Sequence, residues 1–264
     1  MSEAPKLDTR HAHSARVYNY WLGGKDNFAA DREAAEQAIA ANPGIVADAR
    51  ANRMFLARAV RHLAADRGVH QFLDIGAGLP TASNTHEVAQ AAVPAARIVY
   101  VDNDPMVLSH AQALLSSTPE GRTAYVAADL RDIPAITEQA ARTLDFAAPV
   151  ALMLLIILHM IPDEDDPYGI VATLVEALPA GSYLVLAHPA SDVRAASQAE
   201  MTRRVNERMR GPKATMRDRA AISRFFDGLD LAEPGVVQPQ QWRPDPAVVS
   251  PDQVTAWCGV ARKE

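Results

Sequence analysis

Cysteine is almost missing from this chain: Cys258 is the only one in 264 residues. A lone thiol excludes an intrachain disulfide framework and any cysteine-based metal cluster. Cys258 lies in an apolar run and reads as a small buried hydrophobe. A basic balance is missing too, since the formal net charge is -6. Phosphate backbones are bound by basic stripes, so nucleic acid is not an expected partner. The basic residues Arg203, Arg204, Arg208, Arg210 and Lys213 read instead as a solvated helix face. Long hydrophobic runs are also absent: the longest, Pro149 to Ile161, falls short of the ~20 residues a membrane-spanning helix needs. The first residues are polar and charged, unlike a signal peptide, so a cytoplasmic setting without membrane contact is expected. Repeats and low-complexity tracts are missing as well.

What is present is an alternating pattern. Residues 1–13 are polar and read as frayed. Helical spacing covers Ala30 to Ala41, stopped by Asn42-Pro43-Gly44, and Ile45 to Arg67, stopped by Gly68. Short apolar runs then predict five strands: His70 to Ile75, Arg97 to Val101, Thr123 to Ala127, Val150 to Ile157 and Ser182 to Ala187. Helices are predicted between them, at Asn84 to Ala92, Met106 to Ser116, within Pro134 to Leu144, and at Pro167 to Ala177. Strands alternating with helices predict a parallel, doubly wound α/β sheet. A long charged helix (Ser191 to Arg210), a shorter one (Arg217 to Phe226) and two last strands (Leu229 to Val237, Val254 to Ala261) complete the pattern. No flexible linker divides it. Residues 1–68 read as a helical extension packed on a core of residues 69–264, together one domain.

In such a sheet, ligands bind beyond the carboxyl ends of the strands, where strand order reverses. The first end reads Asp74-Ile75-Gly76-Ala77-Gly78-Leu79-Pro80-Thr81. The glycines let backbone approach a ligand closely. Thr81 stands where a dinucleotide fingerprint needs its third glycine, which argues against NAD or FAD. The second end offers Asp102 and Asn103. Asp104 before Pro105 is the better helix cap, which leaves Asp102 free to accept two ribose hydroxyls. The third end offers Asp129 and Leu130, a carboxylate and a backbone N–H suited to an adenine edge; a turn aspartate is the plainer reading. The fourth runs through Leu155 to His159, the only titratable group in an apolar stretch. His159 is either a satisfied core histidine or a base beside the reacting centre. Together, and in this order, these signals match the layout of S-adenosylmethionine methyltransferases.

The chain also resembles one family, the bacterial S-adenosyl methyltransferases formerly classed as a domain of unknown function. The resemblance rests on RVYNYWLGGKDNFAAD (Arg16–Asp31), ANRMFLARAV (Ala51–Val60) and FLDIGAGLPT (Phe72–Thr81). It continues in VYVDNDPMVL (Val99–Leu108), ADLRD (Ala128–Asp132) and LHMIPD (Leu158–Asp163), and ends in FFDGLDLAEPGVV (Phe225–Val237) and WRPD (Trp242–Asp245). It implies a class I methyltransferase fold: a seven-stranded sheet in the order 3-2-1-4-5-7-6 with the last strand antiparallel. It implies S-adenosylmethionine as donor and leaves the acceptor open.

Residues 16–33 precede the first strand and are placed to fold over the crevice as a lid. Gly23 and Gly24 allow a tight turn, and Tyr18, Tyr20 and Trp21 could cover the cofactor. Lys25 or Arg53 would meet its carboxylate; Arg16 and Asn52 are further candidates. The plainer reading is that the aromatics staple the extension to the core. The candidate site is then Tyr20, Gly24, Lys25, Arg53, Asp74, Gly76, Gly78, Asp102, Asn103, Asp129, Leu130 and Leu155 for the cofactor. His159 and Tyr18 are the candidate catalytic residues, with Asp163 a weaker one, and no metal is expected. The acidic run Asp163 to Asp166 reads as a solvated loop. The charge of the helix after the fifth strand points to an acceptor with polar groups. A small-molecule acceptor methylated on oxygen or nitrogen is the expected substrate. A non-catalytic sensor of the same cofactor, or an oxidoreductase on the same sheet, are the rival readings.

Overall fold

The computed structural model describes residues 8–114, 117–208, 213–247 and 253–264. Three helices come first: α1 (Ser14–Trp21), α2 (Ala29–Ala41) and α3 (Ile45–Arg61), the last running into a wider π-helical turn at His62–Asp66. Seven strands follow with helices between them. They are β1 (Gln71–Ile75), α4 (Thr85–Ala92), β2 (Arg97–Asp102), α5 (Pro105–Leu114), β3 (Arg122–Ala127), α6 (Ile133–Ala140) and β4 (Ala151–Leu155). Then come α7 (Pro167–Glu176), β5 (Tyr183–Pro189), α8 (Ala195–Arg208), α9 (Arg219–Ser223), β6 (Asp230–Leu231) and β7 (Ala256–Arg262).

The sheet order is β3-β2-β1-β4-β5-β7-β6, with β7 antiparallel to both of its neighbours. The topology of a class I methyltransferase is thus met in full. Alternation along each strand divides the core. Leu73, Ile75, Val99, Val101, Leu152 and Leu154 face α6 and α7, where Ile136, Val171 and Leu174 wait. Phe72, Ile98, Tyr100, Met153 and Val185 face the other way, onto Phe55, Leu56, Val60 and Leu63 of the α3 segment. So α3 is part of the main core.

Three expectations need correction. Residues 8–13 are not frayed: the Arg16 guanidinium donates to the Asp8 and His11 carbonyls, and the His13 N–H to Asp31. The stretch at Arg16 is helical, although its aromatic, Asn and Val content favours helix only weakly. Tertiary packing decides it, because Val17, Tyr20 and Trp21 lie on Ala34 and Ala35 of α2. The strand expected over Leu229 to Val237 shrinks to Asp230–Leu231. Pro234 lacks a ladder donor, and the chain rejoins the sheet only where Val237 bridges Cys258. The long helix begins at Ala195, not Ser191; Arg210, and Leu115 and Ser116 at the expected end of α5, lie outside the described residues.

Candidate functional site

The chain runs outward from β1 to β2 and β3, then crosses back to β4 on the other side of β1. Strand order reverses there. A cleft of about 410 Å³ opens at that point, within the ~300–1,000 Å³ of small-molecule sites.

Its floor is the loop after β1. Gly76 has φ +76°, and a Cβ there would lie 2.7 Å from Ile157 Cγ1. Gly78 has φ +66° and open space where a side chain would project. Asp102, at the end of β2, fastens this loop. Its Oδ2 accepts the Gly78 N–H and its Oδ1 the Asp104 N–H, both at 2.9 Å. Burial raises the Asp102 pKa, and the two N–H bonds only partly offset that. Asp104 caps the next helix through the Met106 N–H, as its sequence position predicts. Asp74 is buried with Oδ2 accepting from Thr85 at 2.6 Å. Burial pushes its pKa to about 6.

Asn103, Asp129, Leu130 and Leu155 also line the cleft. Asp129 accepts from the Arg131 amide and guanidinium, and Arg131 continues to Asp165 at 2.7 Å. Burial opposes ionisation of Asp129, but the Arg131 bonds outweigh it and hold the pKa below its ordinary value. The acidic run is structural. Asp163 meets Arg217, Asp165 meets Arg131, and Asp166 caps α7 through the Gly169 N–H. Among the described residues no group of three or more His, Cys, Asp or Glu is placed to hold a metal ion.

The first helix forms the roof: His13, Val17, Tyr18 and Trp21 line the cleft. Tyr20, Gly24 and Lys25 are not among its lining residues. Tyr20 turns to α2 and donates to Glu36. Gly24 packs on Asn19, whose side chain a Cβ would strike. Lys25 is exposed. Helical periodicity separates Tyr20 from Tyr18, because the two lie on different faces of α1, while Gly24 and Lys25 follow the end of that helix. Arg16 points away as well, into a buried pairing with Asp31 and over the Phe28 ring.

Arg53 and Asn52, adjacent on α3, both line the cleft. Arg53 donates through Nη2 to the Ala82 and Ser83 carbonyls, while its buried Nε has no partner. The Tyr18 hydroxyl gives its one hydrogen to the Ala49 carbonyl at 3.1 Å. It must therefore accept from Asn52 Nδ2, at 3.0 Å, which leaves the buried Asn52 Oδ1 as an open acceptor.

His159 lies in a single 3₁₀ turn, Leu158–Met160, after β4. Its ring lines the cleft and its Nδ1 is buried without a partner. Burial and the nearby Arg217 lower its pKa to about 4, so the ring is neutral at pH 7. Sequence reasoning missed Arg217 and His188. Arg217, 4 % exposed, donates to the Leu158 and Ile161 carbonyls, to His188 Nε2 and to Asp163. It therefore sets the turn that carries His159. Nothing local marks it, since its partners lie 29 to 59 residues away.

A glycine-lined floor, an acidic residue at each of the next two strand ends and a roofed apolar crevice accompany the sheet order of a class I methyltransferase. The whole chain, residues 1–264, matches the S-adenosyl methyltransferase family and belongs to it; its cofactor is S-adenosylmethionine. The chain is 44% identical to a DUF574 family protein from Streptomyces avermitilis MA-4680, over 98% of this chain and 100% of that one, with a TM-score of 0.94. It is 41% identical to a candidate methyltransferase from Thermobifida fusca YX, over 100% and 99% of the two chains, with a TM-score of 0.90. The plantazolicin methyltransferase BpumL, crystallised with a triazolic desmethylPZN analog and SAH, is 10% identical over 95% and 96% of the chains; its TM-score of 0.55 shows a shared fold alone. No match was found among curated proteins. No helix among the described residues is long and apolar enough to cross a membrane.

Proposed function

We propose that this methyltransferase moves the methyl group to an oxygen or nitrogen of a small-molecule acceptor. The observation that carries the reading is continuity. Gly76, Gly78, Asp102 and Asp129 line the same cleft as His159 and one face of α8. Donor end and acceptor end therefore share one enclosed space.

When bound, the cofactor supplies a methyl group already activated on a sulfonium. The protein has to bind, orient and keep water out. Each Asp102 oxygen uses one lone pair on a backbone N–H and keeps another for a ribose hydroxyl. Asp129 and the Leu130 amide suit an adenine edge. The unpaired Arg53 Nε is a donor for a carboxylate, and the open Asn52 Oδ1 is an acceptor for an ammonium group. These are the two charges of an amino-acid tail. Tyr18 then orients Asn52 and takes no proton itself. Lys25, exposed and outside the cleft, gives way to Arg53. The neutral His159 ring is placed to accept a proton from the acceptor.

Calorimetric titration with S-adenosylmethionine, S-adenosylhomocysteine and NAD tests the reading. Micromolar binding of the first two, lost in Asp102→Ala, and no binding of NAD are expected. Binding of NAD in place of the other two would overturn it.

A further inference from the structure

The cleft continues beyond the strand ends beneath α8, and that helix has two unlike faces. Arg203 pairs with Glu200 and Glu207, and Arg204 with Glu200, all on the exposed face. Gln198, Met201, Thr202 and Val205 recur at helical spacing and line the cleft. The charges of Glu200, Arg203, Arg204 and Glu207 thus belong to the solvent side of α8, against the expectation that they mark the acceptor. The face that meets the ligand is uncharged.

Met160 and Met216 line this end too. With Met201 they give it three thioethers, which adapt to and attract aromatic rings. The charged group here, Asp48, is already engaged: it accepts two bonds from Arg194 Nη2 and one from Thr255. Two buried polar atoms of the described residues have no partner at this end. The Gly44 N–H donates to Asn42 Oδ1, so Asn42 presents its amide Nδ2 to Gln198 Oε1 at 3.0 Å. That fixes the Gln198 amide: its buried Nε2 is a donor without a partner. The other open atom is Nδ1 of His159. The turn bearing His159 is pinned against the segment that supplies Ala214 and Met216, through the Thr215 N–H to the His159 carbonyl at 2.7 Å.

Resting on the methyltransferase reading above, we infer that this end of the cleft is an acceptor subsite for an uncharged, planar aromatic phenol. The phenolic hydroxyl faces His159, a carbonyl or ether oxygen elsewhere on the ring system receives the Gln198 Nε2–H, and the ring lies among Met160, Met201 and Met216. In the proton step the O–H bond breaks, its electron pair stays on oxygen, and an N–H bond forms on the imidazole. Burial and Arg217 make His159 a weak base. A weak base suits an acidic aromatic hydroxyl far better than an aliphatic alcohol. Gln198 is a positioning and specificity residue for the acceptor.

The test is equilibrium binding to the full chain saturated with S-adenosylhomocysteine, so that no turnover is needed. Umbelliferone, chrysin and alizarin are the aromatic probes, with cyclohexanol and phenyl phosphate as controls. The phenols are expected to bind and the controls not to. Gln198→Leu should weaken the phenols about tenfold. Gln198→Glu keeps the oxygen that Asn42 needs but replaces the donor by a second oxygen, and should weaken them at least as much. Both variants should bind S-adenosylhomocysteine like the wild type, which shows that they are folded. If that product binds but no phenol does, or if both variants hold the phenols unchanged, the subsite is overturned and the methyltransferase reading stands. If the product itself does not bind, that reading fails and the subsite with it.

Discussion

Arg217 donates from Nη1 to Nε2 of His188 at 2.9 Å. A guanidinium only donates, so Nε2 must be the bare nitrogen of that ring. The Nδ1–H goes to the Pro189 carbonyl at 2.8 Å. His188 is thereby held neutral: burial, His159 and Arg217 push its pKa well below the ordinary value, against the Pro189 bond. The same cation holds the Leu158 and Ile161 carbonyls. One buried side chain sets both the charge state and the shape of the region around His159.

Arg217→Met should therefore destabilise the fold by about 2–4 kcal/mol, because it strips the Ile161 carbonyl and His188 Nε2 of their partner. Urea denaturation measures this. The His159 pKa should also rise toward its ordinary value, though burial keeps it below. Titration of the imidazole by NMR reads that shift; an unmoved His159 would mean that Arg217 exerts no field there.

Acid stability should reflect two opposed groups. His159 has a folded pKa of about 4 against 6.5 unfolded, so the unfolded chain binds more protons in that window. Its contribution is present above about pH 6.5 and is lost as pH falls toward 4. Asp74 runs the other way. Its pKa of about 6 means that the folded state takes up a proton first, and its ionised form weakens the fold above that pH. Asp74→Asn should raise the neutral-pH melting temperature of the ligand-free protein and steepen the loss of stability on acidification. An Asp74→Asn protein that melts lower at pH 7 would contradict this assignment.

Gly76→Ala should cost about 2–4 kcal/mol. It combines a positive φ with a Cβ driven into Ile157 at 2.7 Å. Chemical denaturation gives the loss, and binding of S-adenosylhomocysteine should weaken with it. Gly78→Ala meets open space and carries only the backbone penalty, so it should be clearly the milder of the two.

Helix α1 roofs the cleft, so its amides should be protected by ligand. Hydrogen exchange across residues 16–21 should slow when S-adenosylmethionine saturates the protein. Exchange in the turn at Gly23–Lys25, away from the cleft, should change less. Equal slowing everywhere would point to global stabilisation in place of a lid.

Much of the fold was legible because strands buried on both faces are apolar runs, and such runs need no knowledge of their partners to be recognised. Gly76, Gly78, Asp102, Asp129 and His159 could be named because each lies where such a run stops. The two-residue β6 was not legible: Leu229 to Val237 has strand-like residues, but Pro234 and Gly235 interrupt the pairing. Tyr20 and Lys25 were misplaced for a different reason. Their segment was read as one covering surface, whereas α1 turns each residue by about 100°, which sends Tyr20 to α2, and ends at Trp21, which leaves Lys25 in the exposed bend beyond it.

By itself, the sequence determined the sheet, the order of its ligand-facing ends and the family, since these depend on local periodicity and on short motifs. Only the tertiary structure decided which polar atoms are open. Gln198 Nε2 is free because Asn42, 156 residues earlier, takes the other end of its amide. His159 is neutral because Arg217 and the surrounding core are brought against it. A side chain's charge and hydrogen-bonding capacity depend on what is packed around it, and packing between distant segments leaves no local mark in a sequence.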